Sequence, residues 1–140
     1  MARVVIDANV IISAAYGGTP LEALVLALEG HEVYLSESAR RELEDTFLKL
    51  SRKLSEGQIV FIQERIRQLV AIAKCIPVST RVTLSRDAKD DHYLSLCKEA
   101  KADFLITGDK DLLSISPEDL KKNRISCSIV TPKSFLEIAL

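Results

Sequence analysis

The chain has 140 residues, of which 47% are hydrophobic and 28% are charged, and its formal net charge is −1. This length and composition fit a single globular domain with a hydrophobic core, which we place over residues 1–140. The near-neutral charge argues against a protein that holds a polyanion through an overall basic surface, and the short apolar runs argue against a membrane-spanning helix.

The cysteines and histidines give little sign of a site. Cys75, Cys97 and Cys127 are widely spaced and form no Cys-x-x-Cys pair, so we expect free thiols in a reducing compartment. The strand-like start of the chain gives no sign of a signal peptide, and we therefore expect a cytoplasmic protein without a membrane partner. His31 and His92 lack the spacing of zinc ligands.

Segments with the apolar pattern of strands alternate with segments that have the period of helices. In chain order we predict a strand at 3–6, helices at 10–15 and 21–28, a strand at 32–35, helices at 37–54 and 55–73, a strand at 75–78, a helix at 87–101, a strand at 103–107, a short helix at 111–115, a turn at 116–117, a strand at 126–130 and a helix at 132–140. Thr19 is the predicted N-cap of the second helix, with Pro20 at its first position. This order predicts an α/β fold, a three-layer α/β/α sandwich with a central, mostly parallel sheet.

Two acidic residues follow predicted buried strands directly. Asp7 comes after an apolar run at 4–6, and Asp109 comes shortly after the run at 104–106. In open parallel sheets the carboxyl ends of the strands form the edge where ligands bind. The alternative role for Asp7 is the N-cap of the helix that follows it.

Two further acids lie on predicted helices. Glu42 borders the apolar stripe of its helix, although taken alone it resembles an ordinary solvated charge. Asp90 lies on the inward-looking face of its helix and Asp91 on a more exposed face, so Asp90 is the better candidate to bind a metal ion. The alternative is that Asp87, Asp90 and Asp91 all only favour the positive N-terminus of that helix. Carboxylates gathered at one place repel each other unless a hard cation lies between them, which predicts a Mg²⁺ or Mn²⁺ site.

Four stretches, in this order along the chain, resemble the PIN domain, the fold shared by VapC-type toxins and other Mg²⁺-dependent ribonucleases. They are VVIDANVIISA at 4–14, Leu35-Ser36 with Glu42-Leu43, DAKDDHYL at 87–94, and ADFLITGDKDLL at 102–113. Together they span nearly the whole chain. The branch that they resemble most contains PIN-type toxin components of toxin–antitoxin pairs.

The resemblance assigns roles to the acidic and polar residues. It implies that the catalytic and metal-binding positions are Asp7, Glu42, Asp90 and Asp109. It implies that the supporting positions are Asn9, Asp91, Thr107 and Asp111. The spacing in many toxin-type members would select Asp91 as the third acid, whereas the helix face and the pattern of this branch favour Asp90.

The implied reaction is attack of metal-activated water on an RNA phosphodiester, with one or two Mg²⁺ or Mn²⁺ ions. Glu42 or Asp109 is a candidate general base. Arg40, Arg41 and Lys110 are candidates for contact with RNA phosphates, although each also suits a solvated surface position. The resemblance further implies a small antitoxin as partner and a homodimer, and the helix at 55–73 offers apolar residues for either contact.

Other functions fit parts of the pattern. A PIN fold can serve as a non-catalytic module that binds RNA or protein, or as an RNA-processing nuclease that is not a toxin. A receiver-type phosphoryl-transfer domain also gathers acids at strand ends, but it requires an acidic pair near the first strand. A haloacid-dehalogenase-like phosphatase requires Asp-x-Asp after that strand, where this chain has Asn9 in the second acidic position.

Overall fold

The computed structural model describes residues 1–85 and 87–139. Its centre is a five-stranded sheet in the order β3-β2-β1-β4-β5, in which all neighbouring strands run parallel. The strands are β1 (Arg3–Ile6), β2 (Glu32–Leu35), β3 (Lys74–Cys75), β4 (Phe104–Ile106) and β5 (Ser128–Val130). The helices are α1 (Ala8–Ser13), α2 (Gly18–Gly30), α3 (Glu37–Leu50), α4 (Glu56–Ile72), α5 (Asp91–Ala100), α6 (Lys110–Leu113), α7 (Pro117–Lys122) and α8 (Pro132–Ala139).

The helices flank this sheet and enclose one hydrophobic core, which confirms the predicted α/β architecture. Helix α5 packs against β1, β2 and β4, while α8 packs against β4 and β5. The central strands β1 and β4 consist almost entirely of buried apolar residues, as expected for parallel strands that are covered on both faces. No helix within residues 1–85 and 87–139 is long and apolar enough to cross a membrane.

Helices α3 and α4 follow each other across a short 3₁₀ turn at Ser51–Lys53, and both pack against α1. Ile62 and Leu69 of α4 are fully buried and belong to the core. The large apolar residues of this helix that are exposed are Val60, Val70 and Ile72.

Several predicted boundaries are wrong. Thr19 does not cap the second helix, because α2 begins at Gly18 and Gly17 precedes it with a φ of 76°, a conformation that glycine adopts at little cost. Helix α3 ends at Leu50, four residues earlier than predicted. A capping box formed by Ser55 and Gln58 then begins α4.

The turn predicted at residues 116–117 is also wrong, because these residues begin helix α7. The Ser116 hydroxyl accepts a hydrogen bond from the Asp119 N–H at 3.1 Å, and Pro117 occupies the first turn. Both features are helix-start signals that are visible in the sequence. The helix has only six residues, which is too short to show a clear apolar period.

The third strand is shorter than predicted and is confined to Lys74–Cys75. Residues 76–85 and 87 belong to no helix or strand. Residue 86 lies outside the described part of the chain. We call residues 79–85 the anchored segment, because polar side chains of α5 hold it in place.

Asp91, in the first turn of α5, anchors the end of this segment. Its Oδ1 accepts hydrogen bonds from the Leu84 N–H at 3.0 Å and the Ser85 N–H at 2.7 Å. Asp91 therefore holds backbone in place, a role that the sequence analysis did not predict for it.

Two more residues of α5 continue the anchoring at intervals of four. The Ser95 hydroxyl accepts a hydrogen bond from the Val82 N–H at 3.0 Å. The Glu99 carboxylate accepts from the hydroxyls of Ser79 and Thr80 at 3.4 and 3.3 Å. Side chains four residues apart share one face of a helix, so one face of α5 holds the whole anchored segment.

We expect Asp91→Ala to lower the free energy of unfolding by about 1–3 kcal/mol, because two backbone N–H groups lose their charged acceptor. Asp91→Asn keeps one acceptor oxygen and should recover most of this loss. Urea unfolding followed by circular dichroism measures the difference. An Asp91→Ala protein as stable as the wild type would contradict the anchoring role.

Candidate metal centre at the carboxyl edge of the sheet

The sheet order places a ligand-binding crevice between β1 and β4. The chain winds outwards from β1 to β2 and β3, and then returns to the other side of β1 for β4 and β5. Ligands of open α/β sheets bind at such a reversal, outside the carboxyl ends of the strands. The register pairs Ile6 with Ile106, so the next residues, Asp7 and Thr107, lie side by side at this edge.

Asp7 is almost completely buried, with 1% of its surface exposed. Its Oδ2 accepts a hydrogen bond from the Thr107 hydroxyl at 2.7 Å, and its Oδ1 accepts one from the Asn9 N–H at 3.0 Å. The second bond makes Asp7 the N-cap of α1. The same side chain therefore caps α1 and lies directly after the end of β1.

Asp109 is linked to Asp7 through Thr107, because the Asp109 N–H donates to the Thr107 hydroxyl at 3.0 Å. The Asp109 Oδ1 accepts a hydrogen bond from the Asp111 N–H at 2.8 Å. Asp109 is thus the N-cap of α6, and Asp111 lies in the first turn of that helix. Lys110, between them, is exposed.

Asp90 reaches the same place from the other side of the crevice, in a 3₁₀ turn that leads into α5. It is 7% exposed, and its Oδ2 is buried without a hydrogen-bond partner among the described residues. The pKa of the Asp90 carboxyl is raised to about 7, mainly by burial, then by its interaction with the Asp109 carboxyl, and least by the charges of Asp7 and Asp87.

The pKa of Asp7 is also raised, mainly by burial. The hydrogen bonds from Thr107 and Asn9 favour its charged form and oppose this shift, whereas the carboxylates of Glu42 and Asp109 add to it. The structure thus brings together acids that disfavour each other's charge. This arrangement is costly to the free protein unless a cation or a proton offsets it.

Glu42 comes from α3, and its side chain is 28% exposed. Its Oε2 forms a hydrogen bond with Nε2 of His92, on the first turn of α5. Sequence reasoning considered His92 only as a zinc ligand and so missed this contact. The available signal was its position directly after Asp90 and Asp91.

Tyr93 is a second residue that the sequence analysis missed. Its ring is fully buried, and its hydroxyl accepts a hydrogen bond from the Ala8 N–H at 2.9 Å. Burial raises the pKa of Tyr93, and the nearby Asp7 carboxylate raises it further. The hydroxyl therefore stays protonated and occupies the floor of the acidic cluster, beside the start of α1.

The side chains of other predicted site residues make no hydrogen bond to these acids among the described residues. The Asn9 side chain is exposed. The group of Asn9 that binds Asp7 is the backbone N–H and not the side-chain amide. Arg40 forms ion pairs with Glu37 and Glu44, and Arg41 forms one with Glu37. These two arginines are therefore engaged with neighbours on α3.

The donor set fits a hard divalent cation that is bound partly through water. Within residues 1–85 and 87–139, no group of three or more His, Cys, Asp or Glu side chains is arranged to hold one ion directly. Mg²⁺ keeps several water ligands and takes one or two carboxylates, so direct ligation by three residues is not required. The buried Asp90 Oδ2 without a hydrogen-bond partner is the atom that such an ion would satisfy.

Solved structures resemble this fold at low sequence identity. PAE2754 from Pyrobaculum aerophilum has a TM-score of 0.61 and 12% identity, over 97% of this chain and 88% of that one. A chain of VapBC2 from Rickettsia felis, solved with a DNA fragment from its promoter, has a TM-score of 0.55 and 14% identity, over 92% of this chain and 98% of that one. A domain of a functionally unknown protein from Methanocaldococcus jannaschii DSM 2661 has a TM-score of 0.55 and 17% identity, over 92% and 91%.

No curated protein matches the sequence significantly. The PIN domain family, by contrast, matches residues 3–111. This range is most of the chain, and it contains Asp7, Glu42, Asp90 and Asp109. The chain belongs to the PIN domain family.

Proposed function

We propose that this protein is a metal-dependent ribonuclease that hydrolyses RNA phosphodiester bonds at its acidic cluster. The observation that carries the proposal is the buried Asp90 oxygen without a hydrogen-bond partner, close to two other carboxylates at the β1–β4 crevice. Membership of the PIN domain family, whose typical members are nucleases, supports the same reaction.

Asp7, Asp90 and Asp109 would hold Mg²⁺ or Mn²⁺, with Glu42 at the more open side. When bound, the ion supplies an activated water and neutralises the charge that develops on the phosphate. Thr107 keeps Asp7 and Asp109 in a fixed relation through its single hydroxyl.

The remaining contacts orient oxygens toward the crevice. The N–H groups of Asn9 and Asp111 each bind one carboxylate oxygen, of Asp7 and Asp109 respectively. His92 fixes the Glu42 carboxylate through Oε2, so that Glu42 is a candidate to accept a proton from water. Groups fixed in this way need little reorganisation during the reaction.

A role as the toxin of a toxin–antitoxin pair is the finer proposal, and its support is the structural likeness to VapBC2. A small antitoxin would then be the physiological partner. We place the contact with an antitoxin or with a second copy of the chain on the exposed apolar residues Val60, Val70 and Ile72 of α4.

We expect the purified protein to cleave single-stranded RNA when Mg²⁺ or Mn²⁺ is present. We expect no cleavage when EDTA is added. Asp7→Asn and Asp90→Asn should each lower the cleavage rate by about 100-fold or more, because each removes a charged oxygen from the cluster. Gel analysis of a labelled mixed RNA substrate measures the rate.

The matched control is Asp45→Asn, which removes an exposed acid of α3 and should cleave like the wild type. Cleavage that persists in both cluster variants would show that another nuclease is responsible. A wild type that binds RNA but cuts none of it would favour the non-catalytic binding module.

We expect Asp90→Asn to stabilise the metal-free protein at pH 8 by about 1–3 kcal/mol. Folding raises the pKa of this carboxyl from 3.8 to about 7, so the folded chain holds the proton more tightly than the unfolded chain. The free energy of unfolding therefore falls as the pH rises from about 4 to about 7, and the amide is spared this loss.

Urea unfolding in EDTA at pH 5 and pH 8 measures this difference, with Asp45→Asn as the control that gains nothing at either pH. Added Mg²⁺ should then stabilise the wild type more than Asp90→Asn, since binding to the folded state alone raises stability. An Asp90→Asn protein that is less stable than the wild type at pH 8 would contradict the repulsion within the cluster.

The toxin role predicts that induced expression in a bacterial host slows growth for the wild type and not for Asp90→Asn. Co-expression of a small protein encoded beside the gene should restore growth. Equal growth arrest by the wild type and by Asp90→Asn would show that the toxicity does not depend on RNA cleavage. RNA cleavage in vitro without growth arrest would instead favour an RNA-processing role.

A further inference from the structure

A second concave surface lies beside the acidic cluster, and the proposed reaction does not yet use it. Its cavity volume is about 440 Å³, within the range of about 300–1,000 Å³ that is usual for small-ligand sites. One wall is the anchored segment 79–85, the opposite wall is the start of α3, and the first turns of α5 form the floor. We call this surface the α3–α5 groove.

The α3–α5 groove is continuous with the acidic cluster through His92. The His92 ring lines the groove, and its Nε2 forms the hydrogen bond with Glu42. A chain that lies across the cluster can therefore extend into the groove past this one side chain.

The lining of the groove is rich in hydroxyl groups and contains an arginine. Ser38, Thr83 and Arg81 all line the groove and are exposed. Among the described residues of the lining, Asp91 is the acidic one, and its Oδ1 already accepts two backbone N–H groups. A ligand with one negative charge and several hydroxyl groups suits this lining.

The anchored segment holds Arg81 and Thr83 at the groove. Val82 between them is buried, with 5% exposure, and its N–H is bound by Ser95. The residues on either side of this buried position are both exposed. The fixing of the segment to α5 therefore sets where the guanidinium group and the hydroxyl can meet a ligand.

We propose that the α3–α5 groove is a subsite for the ribose-phosphate of the RNA nucleotide next to the scissile bond. Arg81 contacts its phosphate, and Ser38 and Thr83 contact ribose hydroxyls. A guanidinium group binds phosphate oxygens through paired hydrogen bonds, and a contact with the 2′-hydroxyl distinguishes RNA from DNA. This inference rests on the proposed ribonuclease function, whose substrate class it makes more specific.

The first test measures binding alone, so that it does not depend on cleavage. We expect Thr83→Val to weaken binding of an unmodified, fluorescein-labelled oligoribonucleotide more than binding of its 2′-O-methylated counterpart, with EDTA present. Arg81→Ala should weaken binding of both by about tenfold, because both carry the phosphate. The slope of log Kd against log salt should fall by about 0.7, the contribution of one phosphate contact on a single strand. Arg52→Ala, which removes an exposed arginine far along the chain from the groove, should change neither value by more than about twofold.

The second test separates the subsite from the metal centre. Arg81→Ala and Thr83→Val should lower kcat/KM for the oligoribonucleotide about tenfold, and leave the Mn²⁺-dependent hydrolysis of bis(p-nitrophenyl) phosphate unchanged. This small diester carries no ribose and can use the acidic cluster alone. Arg81→Lys should recover part of the RNA activity, because it restores the charge without the paired hydrogen bonds.

Equal RNA affinity for Arg81→Ala and Arg52→Ala would overturn the subsite, and so would an equal loss of activity on both substrates. A wild type that hydrolyses the small diester but binds the unmodified and the 2′-O-methylated oligonucleotide equally would overturn the subsite. The phosphodiesterase activity of the acidic cluster would then still stand. A wild type that hydrolyses neither substrate but loses RNA affinity in Arg81→Ala would overturn the ribonuclease proposal and leave the groove as a binding site.

Discussion

The Thr107 hydroxyl is the group on which the arrangement of the acidic cluster depends. It donates to the buried Asp7 carboxylate at 2.7 Å and accepts from the Asp109 N–H at 3.0 Å. The register of β1 and β4 brings the two strand ends level, so this hydroxyl needs no long side chain to bridge them. Because a buried carboxylate is tolerated only when it is hydrogen-bonded, the bond fixes where Asp7 points. In the proposed metal centre, Asp90 and Glu42 act with Asp7 and Asp109 that are held in this way.

The cluster also shows a conflict between stability and chemistry. Burial and mutual repulsion raise the pKa values of both Asp7 and Asp90, so the metal-free protein carries charge that its own side chains do not balance. An amide at position 90 would avoid this cost. Functional sites are the places where a sequence keeps such locally unfavourable choices, and this physical cost is independent support for a role beyond the fold.

Sequence patterns were sufficient where the controlling contacts are local. The strands at 3–6 and 32–35 follow from short apolar runs, and the structure has them at the same residues. Helix periodicity predicts an inward-facing Asp90, and the structure places its carboxyl near those of Asp7 and Asp109, although from the 3₁₀ turn before α5. The short helix α7 shows the limit of periodicity, because six residues carry cap signals but no repeat.

The residues that sequence reasoning missed depend on contacts between distant parts of the chain. His92 meets Glu42 fifty positions away, and Tyr93 meets Ala8 across eighty-five. Nothing in the neighbourhood of either residue along the sequence specifies its partner, since the pairing follows from how α5 lies against β1 and α3. Their buried or half-buried positions in the first turn of α5 become informative only once the sheet order is known.

Asp90 and Asp91 are adjacent acids with different physical tasks. Asp90 presents a buried oxygen without a hydrogen-bond partner to the β1–β4 crevice, whereas Asp91 binds the N–H groups of Leu84 and Ser85. One helical step of about 100° is enough to direct neighbouring side chains to different sides of a helix. The start of α5 therefore joins the acidic cluster on one side to the wall of the α3–α5 groove on the other. The proposed metal centre and the proposed nucleotide subsite therefore adjoin the same turn, and Asp91 ties that turn to the segment that carries Arg81.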